Sequence, residues 1–216
     1  MASFDESWEQ TYREGRQLNK YPWSDVVSFV FRHRPARPAA EISVLEVGCG
    51  SGPNLMFLAA EGFRTFGVDA SDAAIAVAKE RLAEKGLAAE AAVGDFTALP
   101  FAGQSMDLVI DRAALTHADQ ASIVKAVAEI RRVLKPGGKF LFTPFADSHA
   151  GFAAALAGGQ DASHLAGFQV TFFNGREIAT LFETGWRLIQ CTRREEVDML
   201  NLSNLFASWI AVAEKI

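Results

Sequence analysis

The segment Val44-Leu45-Glu46-Val47-Gly48-Cys49-Gly50-Ser51-Gly52-Pro53 constrains the fold more than any other part of the chain. An apolar run stops at three alternating glycines, and a proline then opens a helix. The glycines admit left-handed backbone and let the main chain touch a ligand, while the helix start offers it unpaired amides. About 20 residues after Gly50 the next apolar run ends in Gly67-Val68-Asp69-Ala70, the spacing expected of an acid that accepts ribose hydroxyls. A third run ends in Gly94-Asp95-Phe96, adding another acid and an aromatic ring. In an open parallel sheet the carboxyl ends of the strands share one crevice, so the three loops line one site. That site wants an adenosine-like group.

Strands are expected at Ile42–Val47, Phe63–Val68, Glu90–Val93, Met106–Ile110 and Lys139–Thr143, with helices at Pro53–Glu61, Ser71–Gly86 and Asp119–Leu134. Pro53 suits a first helical turn, Ser71 a cap and Gly86 a helix end. This alternation predicts an α/β fold: a Rossmann-like, doubly wound, mostly parallel sheet with helices on both faces. After a helix near Arg176–Glu183, the runs Trp186–Thr192 and Leu205–Ala213 have only a loop between them, which favours antiparallel pairing. The expected sheet has seven strands, antiparallel at its C-terminal end. A length of 216 suits a single domain. Residues 1–40 form a helical cap with a Ser24–Arg34 helix capped by Ser24, 42–144 the binding core, 145–172 an insertion, and 173–216 the closing helix and strand pair.

Lys plus Arg number 21 and Asp plus Glu 26, giving a net charge of −5 and a pI near 5.4. That balance argues against nucleic acid or an anionic membrane as the main partner. Cys49 and Cys191 are far apart and form no CxxC or Cys/His cluster, so no metal site is expected. Cys49 reads as a small filler in the glycine turn and Cys191 as a core residue of a strand. Lone thiols suit a reducing compartment. The start, MASFDESWEQ, has no signal-peptide character, and the most apolar stretch, Gly151 to Gly159, is too short to span a bilayer. A cytoplasmic protein is expected; oligomeric state has no signal here.

These motifs, in this order, resemble the class I S-adenosylmethionine-dependent methyltransferases, in detail their small type 11/25 branch. Glu46 to Gly52 is similar to the family's first glycine motif and Gly67 to Ser71 to its second strand end. Gly94-Asp95-Phe96 with Leu99-Pro100-Phe101 is similar to the adenine segment, and Leu134-Lys135-Pro136-Gly137-Gly138 to the turn before the fifth strand. The resemblance implies S-adenosylmethionine as cofactor and S-adenosylhomocysteine as product. Gly48, Gly50 and Gly52 would pass under its methionine part, with Glu46 orienting the loop or reaching the amino group through water. Asp69 and the adjoining Ala70 would meet the ribose, Asp95 the adenine amine and Phe96 the adenine ring. Asp111 would sit beside the sulfonium. No Asn/Asp-Pro-Pro-Tyr/Phe follows the fourth strand, where Ile110-Asp111-Arg112-Ala113 stands, so transfer to a planar amide or adenine amine is not implied.

Plainer roles exist for the same residues: Asp69 or Asp95 as turn caps, Phe96 as core. A nicotinamide-binding fingerprint would need glycine where Pro53 stands. A ligand-binding or partner-regulating relative of the same fold is the other alternative; the intact glycine loop and both acidic strand ends argue against it, since a non-binding relative has no need of them.

Among four histidines, His117 follows the fourth strand and His149 the fifth. Both are candidates for a catalytic base or an acceptor contact, while His33 reads as surface and His164 sits in the insertion. A base contributes about 10²–10⁴-fold, whereas alignment contributes on the order of 7–11 kcal/mol, so catalysis can rest on alignment alone. Ala146–Gly167 holds eight alanines and four glycines, a composition suited to a mobile lid or to a packed helix. With the aromatic start Trp8 and Tyr12, it is expected to close over a small-molecule acceptor. Phe145, Phe152, Leu156 and Phe168 would supply an apolar wall, and Asp147, His149 and His164 polar handles. The acceptor atom, expected to be O or N, is not specified.

Overall fold

The computed structural model describes residues 5–152, 168–202 and 205–216. Its centre is β1 (Ser43–Val47), buried along its whole length. β1 pairs in parallel with β2 (Arg64–Asp69) on one side and β4 (Met106–Asp111) on the other. β3 (Glu90–Val93) extends the sheet beyond β2, and β5 (Leu134–Phe142) beyond β4, both in parallel. The last two strands, β6 (Trp186–Val197) and β7 (Leu205–Lys215), pair antiparallel, and β7 pairs antiparallel with β5. The order is β3-β2-β1-β4-β5-β7-β6, the seven-stranded mixed sheet expected. Strand order reverses at β1, where an open α/β sheet leaves its binding crevice. The register brings Val47 opposite both Val68 and Asp111, so the loops after β1, β2 and β4 leave from one edge.

Alternate residues of β1 point to opposite faces. Val44 joins Leu108, Ile110 and Leu141 beneath α2 (Ser24–His33) and α3 (Pro53–Ala60), through Val26, Phe29, Val30 and Leu58. Leu45 and Val47 join Val109, Phe140 and Phe142 beneath α5 (Gln120–Val133) and α6 (Gly175–Leu181), through Ile123, Val127, Ile130 and Ile178. A smaller cluster of Leu55, Ile75 and Ala91 ties α4 (Asp72–Glu84) to α3 and β3. The caps follow local chemistry. Ser71 accepts from the Ala74 amide and Asp119 from that of Ser122, while Asn174 and Glu177 form a capping box.

At the opposite edge, away from the crevice, Asp107 pins three segments through the Ser43 amide, Lys135 and Arg37. Burial raises its pKa, but these partners outweigh that and hold the carboxyl below the usual range.

Three expectations need correction. Ser24 is the first helical residue of α2 rather than its cap; Trp23 holds the cap position and provides no side-chain bond. β6 runs to Val197 and β7 to Lys215, so the pair outreaches β5 and borders the crevice. Cys191 is exposed on β6, because that strand lies at the sheet edge; Cys49 is buried. Among the described residues, no helix is long and apolar enough to cross a membrane.

Candidate active site

All three glycines of the β1–α3 turn are left-handed, with φ of +66° at Gly48, +52° at Gly50 and +76° at Gly52. At Gly48 a Cβ would stand 2.1 Å from the Ala114 Cβ, so only glycine lets the turn pass the loop after β4. The Gly48 and Cys49 amides both donate to the Val68 carbonyl, at 2.7 and 3.1 Å. Asp69 completes the turn: Oδ2 accepts from the Gly50 amide at 2.8 Å and Oδ1 from Ser71 at 2.9 Å. Burial leaves its pKa above the usual range in spite of those amides. Gly52 caps α3 and lies 3.0 Å (by its notional Cβ) from the Ala78 Cβ, giving it a packing role.

Two buried acids stand behind the turn. One oxygen of Glu46 accepts from Asn54 Nδ2 at 2.6 Å, and Asn54 Oδ1 accepts from the Trp23 amide at 3.0 Å. Asp111 Oδ1 accepts from the Ala114 and Leu115 amides at 2.9 and 2.8 Å. The remaining oxygens, Glu46 Oε2 and Asp111 Oδ2, are buried without a hydrogen-bond partner among the described residues. Burial pushes Glu46 up to about 8, with the Asp111 charge adding to the rise, and pushes Asp111 up to about 6.

These shifts have a sign. The folded protein keeps a proton on Glu46 that the unfolded chain releases near its ordinary pKa of about 4.3. Stability of the ligand-free protein should therefore fall as pH rises toward about 8, with a contribution of up to about 1.4 kcal/mol per pH unit. Denaturant melts between pH 6 and 8 check this: Glu46→Gln should flatten the fall. An unchanged slope in that variant would show the acid to be ionised throughout.

α1 (Ser7–Arg13) lies across the crevice. Glu9 accepts from Ser71 Oγ at 2.5 Å and from the Ala73 amide at 3.2 Å, joining α1 to the start of α4. The Trp8 ring sits 4.5 Å from that of Phe168 and 4.8 Å from that of His117. Tyr12 places its hydroxyl over Gly50, where a Cβ would come within 2.5 Å of it. Burial keeps that hydroxyl protonated.

Beneath α1 is a cavity of about 130 Å³ lined by Asp69, Ala70, Phe96, Gly48, Arg112 and His117 among others. A larger one of about 490 Å³ adjoins it and reaches the strand pair; Glu46, Gly50, Trp23, Phe145 and Phe206 are on its wall. The structure thus brings together Glu46, Gly48, Gly50, Asp69, Ala70, Phe96 and His117. Asp111 lies buried behind this wall, at the end of β4. Asp95 is exposed, accepts from the Thr97 amide at 2.7 Å, and is on neither wall.

The two histidines part company. His117 lines both cavities and has Nδ1 3.1 Å from the Gln169 carbonyl, which orients its ring. His149, the other candidate, is on neither cavity wall. It is buried among Phe145, Phe172 and Phe206, and its Nδ1 accepts from the Gly151 amide at 3.0 Å. Of the expected acceptor wall, Leu156 and His164 lie outside the described residues. Tyr12 borders the site as expected of the aromatic start, while Trp23, Asn54, Arg112 and the strand-pair residues Arg194 and Phe206 border it without having been expected there. Among the described residues no group of acids, histidines and cysteines could hold a metal.

A methyltransferase-domain family model matches residues 44–138, the segment from β1 into β5. Bacillus subtilis YodH, named an uncharacterized methyltransferase, is 30% identical over 106 residues, covering 49% of this chain and 44% of that protein. A ubiquinone biosynthesis O-methyltransferase of Methylobacterium is 30% identical over 124 residues, covering 57% and 49%. The match thus spans less than half the length of either relative. A solved SAM-dependent methyltransferase from Methanosarcina mazei shares the fold with a TM-score of 0.74 at 20% identity, covering 91% of this chain and 99% of that one. The magnesium protoporphyrin IX methyltransferase of Synechocystis, solved with bound S-adenosylhomocysteine, does so at 0.67 and 16%, covering 96% and 83%. Glycine turn, acidic strand ends and strand order agree with that match: residues 44–138 are similar to a methyltransferase domain, on a fold shared with solved S-adenosylmethionine-dependent methyltransferases.

Proposed function

We propose that this protein transfers a methyl group from S-adenosylmethionine to an oxygen or nitrogen of a small molecule. The observation that carries the reading is the buried, unpartnered carboxylate oxygen of Glu46 on the cavity wall, with Asp111 buried behind it, beside a turn that excludes any side chain at Gly48. A buried acceptor atom without a donor is costly, and a ligand ammonium group supplies one. Asp69 fits a ribose: two amides occupy two of a carboxylate's roughly four acceptor positions, leaving capacity for two hydroxyls. Ala70 and Phe96 border the same cavity and fit the nucleoside beyond it. Asp95 would reach the adenine amine from the rim.

When bound, the cofactor supplies an electrophilic methyl on a sulfonium. The chain's contribution is to hold the acceptor in line, with α1 and the aromatic walls excluding water. His117, on the wall common to both cavities, is the candidate to take a proton from the acceptor. The ubiquinone O-methyltransferase relatives favour a small-molecule acceptor with an oxygen nucleophile. The acidic surface and the absence of a membrane-crossing helix among the described residues fit an acceptor free in the cytoplasm.

Titration calorimetry with S-adenosylmethionine, S-adenosylhomocysteine and NAD tests the reading. Binding of the first two is expected without added metal; binding of NAD alone would overturn it. Cofactor binding with no transfer to any acceptor would favour a silent regulator of the same fold.

The seating of α1 yields a second expectation. Trp8 rests on Phe168, and Asp5 accepts from the Gln169 amide at 2.9 Å, so the N-terminal segment and the end of the insertion meet over the crevice. Hydrogen exchange with and without S-adenosylhomocysteine should show both 1–25 and 145–168 gaining protection together. No change in either would remove the lid from the mechanism.

A further inference from the structure

Arg112 has no place in the cofactor roles above, and its setting is unusual. It follows the last residue of β4 and is on the wall of both cavities. Its guanidinium lies over the Trp23 ring, 4.0 Å from the centroid, a cation–π contact that holds the group in place. Nε is buried, and the guanidinium makes no hydrogen bond or ion pair with any described residue. Asp25, the acid whose charge acts most strongly on Arg112, is already held bidentately by Arg194 at 2.8 and 2.9 Å. Glu46 and Asp111 attract Arg112 through space without bonding it. A planar five-donor fork, mostly withdrawn from water and left empty, calls for an acceptor of matching shape.

We infer that Arg112 binds the carboxylate of the methyl acceptor, making carboxylate-bearing aromatic hydroxy or amino compounds the preferred substrates. This rests on the methyltransferase reading and deepens it. Carboxylates match the guanidinium fork bidentately. Asp25 and Glu196 line the same cavity, so a single negative charge suits it better than a phosphate dianion. The cavity's rings, Trp8, Trp23, His117, Phe145 and Phe206, suit a flat apolar body. The cofactor also carries a carboxylate. The larger cavity, however, is lined by Phe206 and Ser208 on β7 as well as by the glycine turn and Arg112, which gives the acceptor room beside this side chain on the strand-pair side.

The test uses the full chain saturated with S-adenosylhomocysteine, titrated with hydroxybenzoates and aminobenzoates and with their primary amides. At least one acid should bind about 10- to 100-fold more tightly than its amide. Arg112→Gln should erase that preference, Arg112→Lys should restore part of it, and S-adenosylhomocysteine affinity should stay within about threefold in both. In turnover with any acid that is methylated, the loss should fall on KM rather than kcat. Equal binding of acids and amides by the native chain overturns the assignment. So does an Arg112→Gln variant that loses S-adenosylhomocysteine affinity about tenfold or more, since the carboxylate held would then be the cofactor's. A native chain that binds no S-adenosylhomocysteine at all fails the methyltransferase reading instead, a result visible before any acid is added.

Discussion

Gly48→Ala should bind S-adenosylhomocysteine at least about 100-fold more weakly than the native chain and unfold at a lower denaturant concentration. Two costs combine. The backbone stands at φ +66°, where a residue with a Cβ pays on the order of 1–2 kcal/mol. The added carbon would also come 2.1 Å from the Ala114 Cβ, a distance no rotamer can relieve. Either the turn or the β4 loop must then move. Both are anchored, the turn by the Val68 carbonyl and the loop by Asp111. The displacement therefore falls on the crevice between them.

Gly86→Ala is the matched control. Its φ is +61°, but nothing lies within 4 Å of the added carbon. It should show the strain cost of about 1 kcal/mol with cofactor affinity unchanged. Calorimetry and urea melts on the two variants separate backbone strain from site geometry. If Gly48→Ala keeps affinity within about tenfold, the turn does not carry the cofactor as proposed.

The parts legible from sequence are those governed by short-range rules. β1 and β4 are parallel strands buried along their length and β2 is buried over much of its own, so they read as predominantly apolar runs. Gly48, Gly50 and Gly52 announce a turn because positive φ is expensive for anything else. What escaped was set by tertiary contact. The outer half of β6 contains Arg193-Arg194-Glu195-Glu196, whose charges read as a solvated loop; pairing to β7 makes it a strand. Its position at the sheet edge likewise exposes Cys191. The Trp23 to Asn54 bond joins residues 31 apart, and no local pattern forecasts it. Arg112 did carry a signal, because it is the first residue after a strand end that points at the crevice. Its empty fork shows only in three dimensions. His149 had the same kind of position signal, yet three phenylalanine rings enclose it.

Asp69→Ala should weaken S-adenosylhomocysteine binding by about 2–4 kcal/mol, because paired ribose hydroxyls would enter a half-buried site without an acceptor. The same side chain also holds the Gly50 and Ser71 amides, at 2.8 and 2.9 Å. A loss of affinity could thus come from the ribose contact or from a slackened turn, and a second variant separates them. Asp69→Asn keeps one carbonyl oxygen for the turn but presents an NH₂ group where the other oxygen stood. If the ribose contact dominates, Asn should lose much of the affinity while the melting midpoint stays close to native. The comparison can be sharpened with 2′-deoxy and 3′-deoxy analogues of the cofactor product. Against the native protein each should bind more weakly; against Asp69→Ala the penalty for either missing hydroxyl should vanish, as a double-mutant cycle requires. An Asp69→Ala protein that is less stable but binds the intact product as tightly as the native chain would make Asp69 a brace for the glycine turn and nothing more.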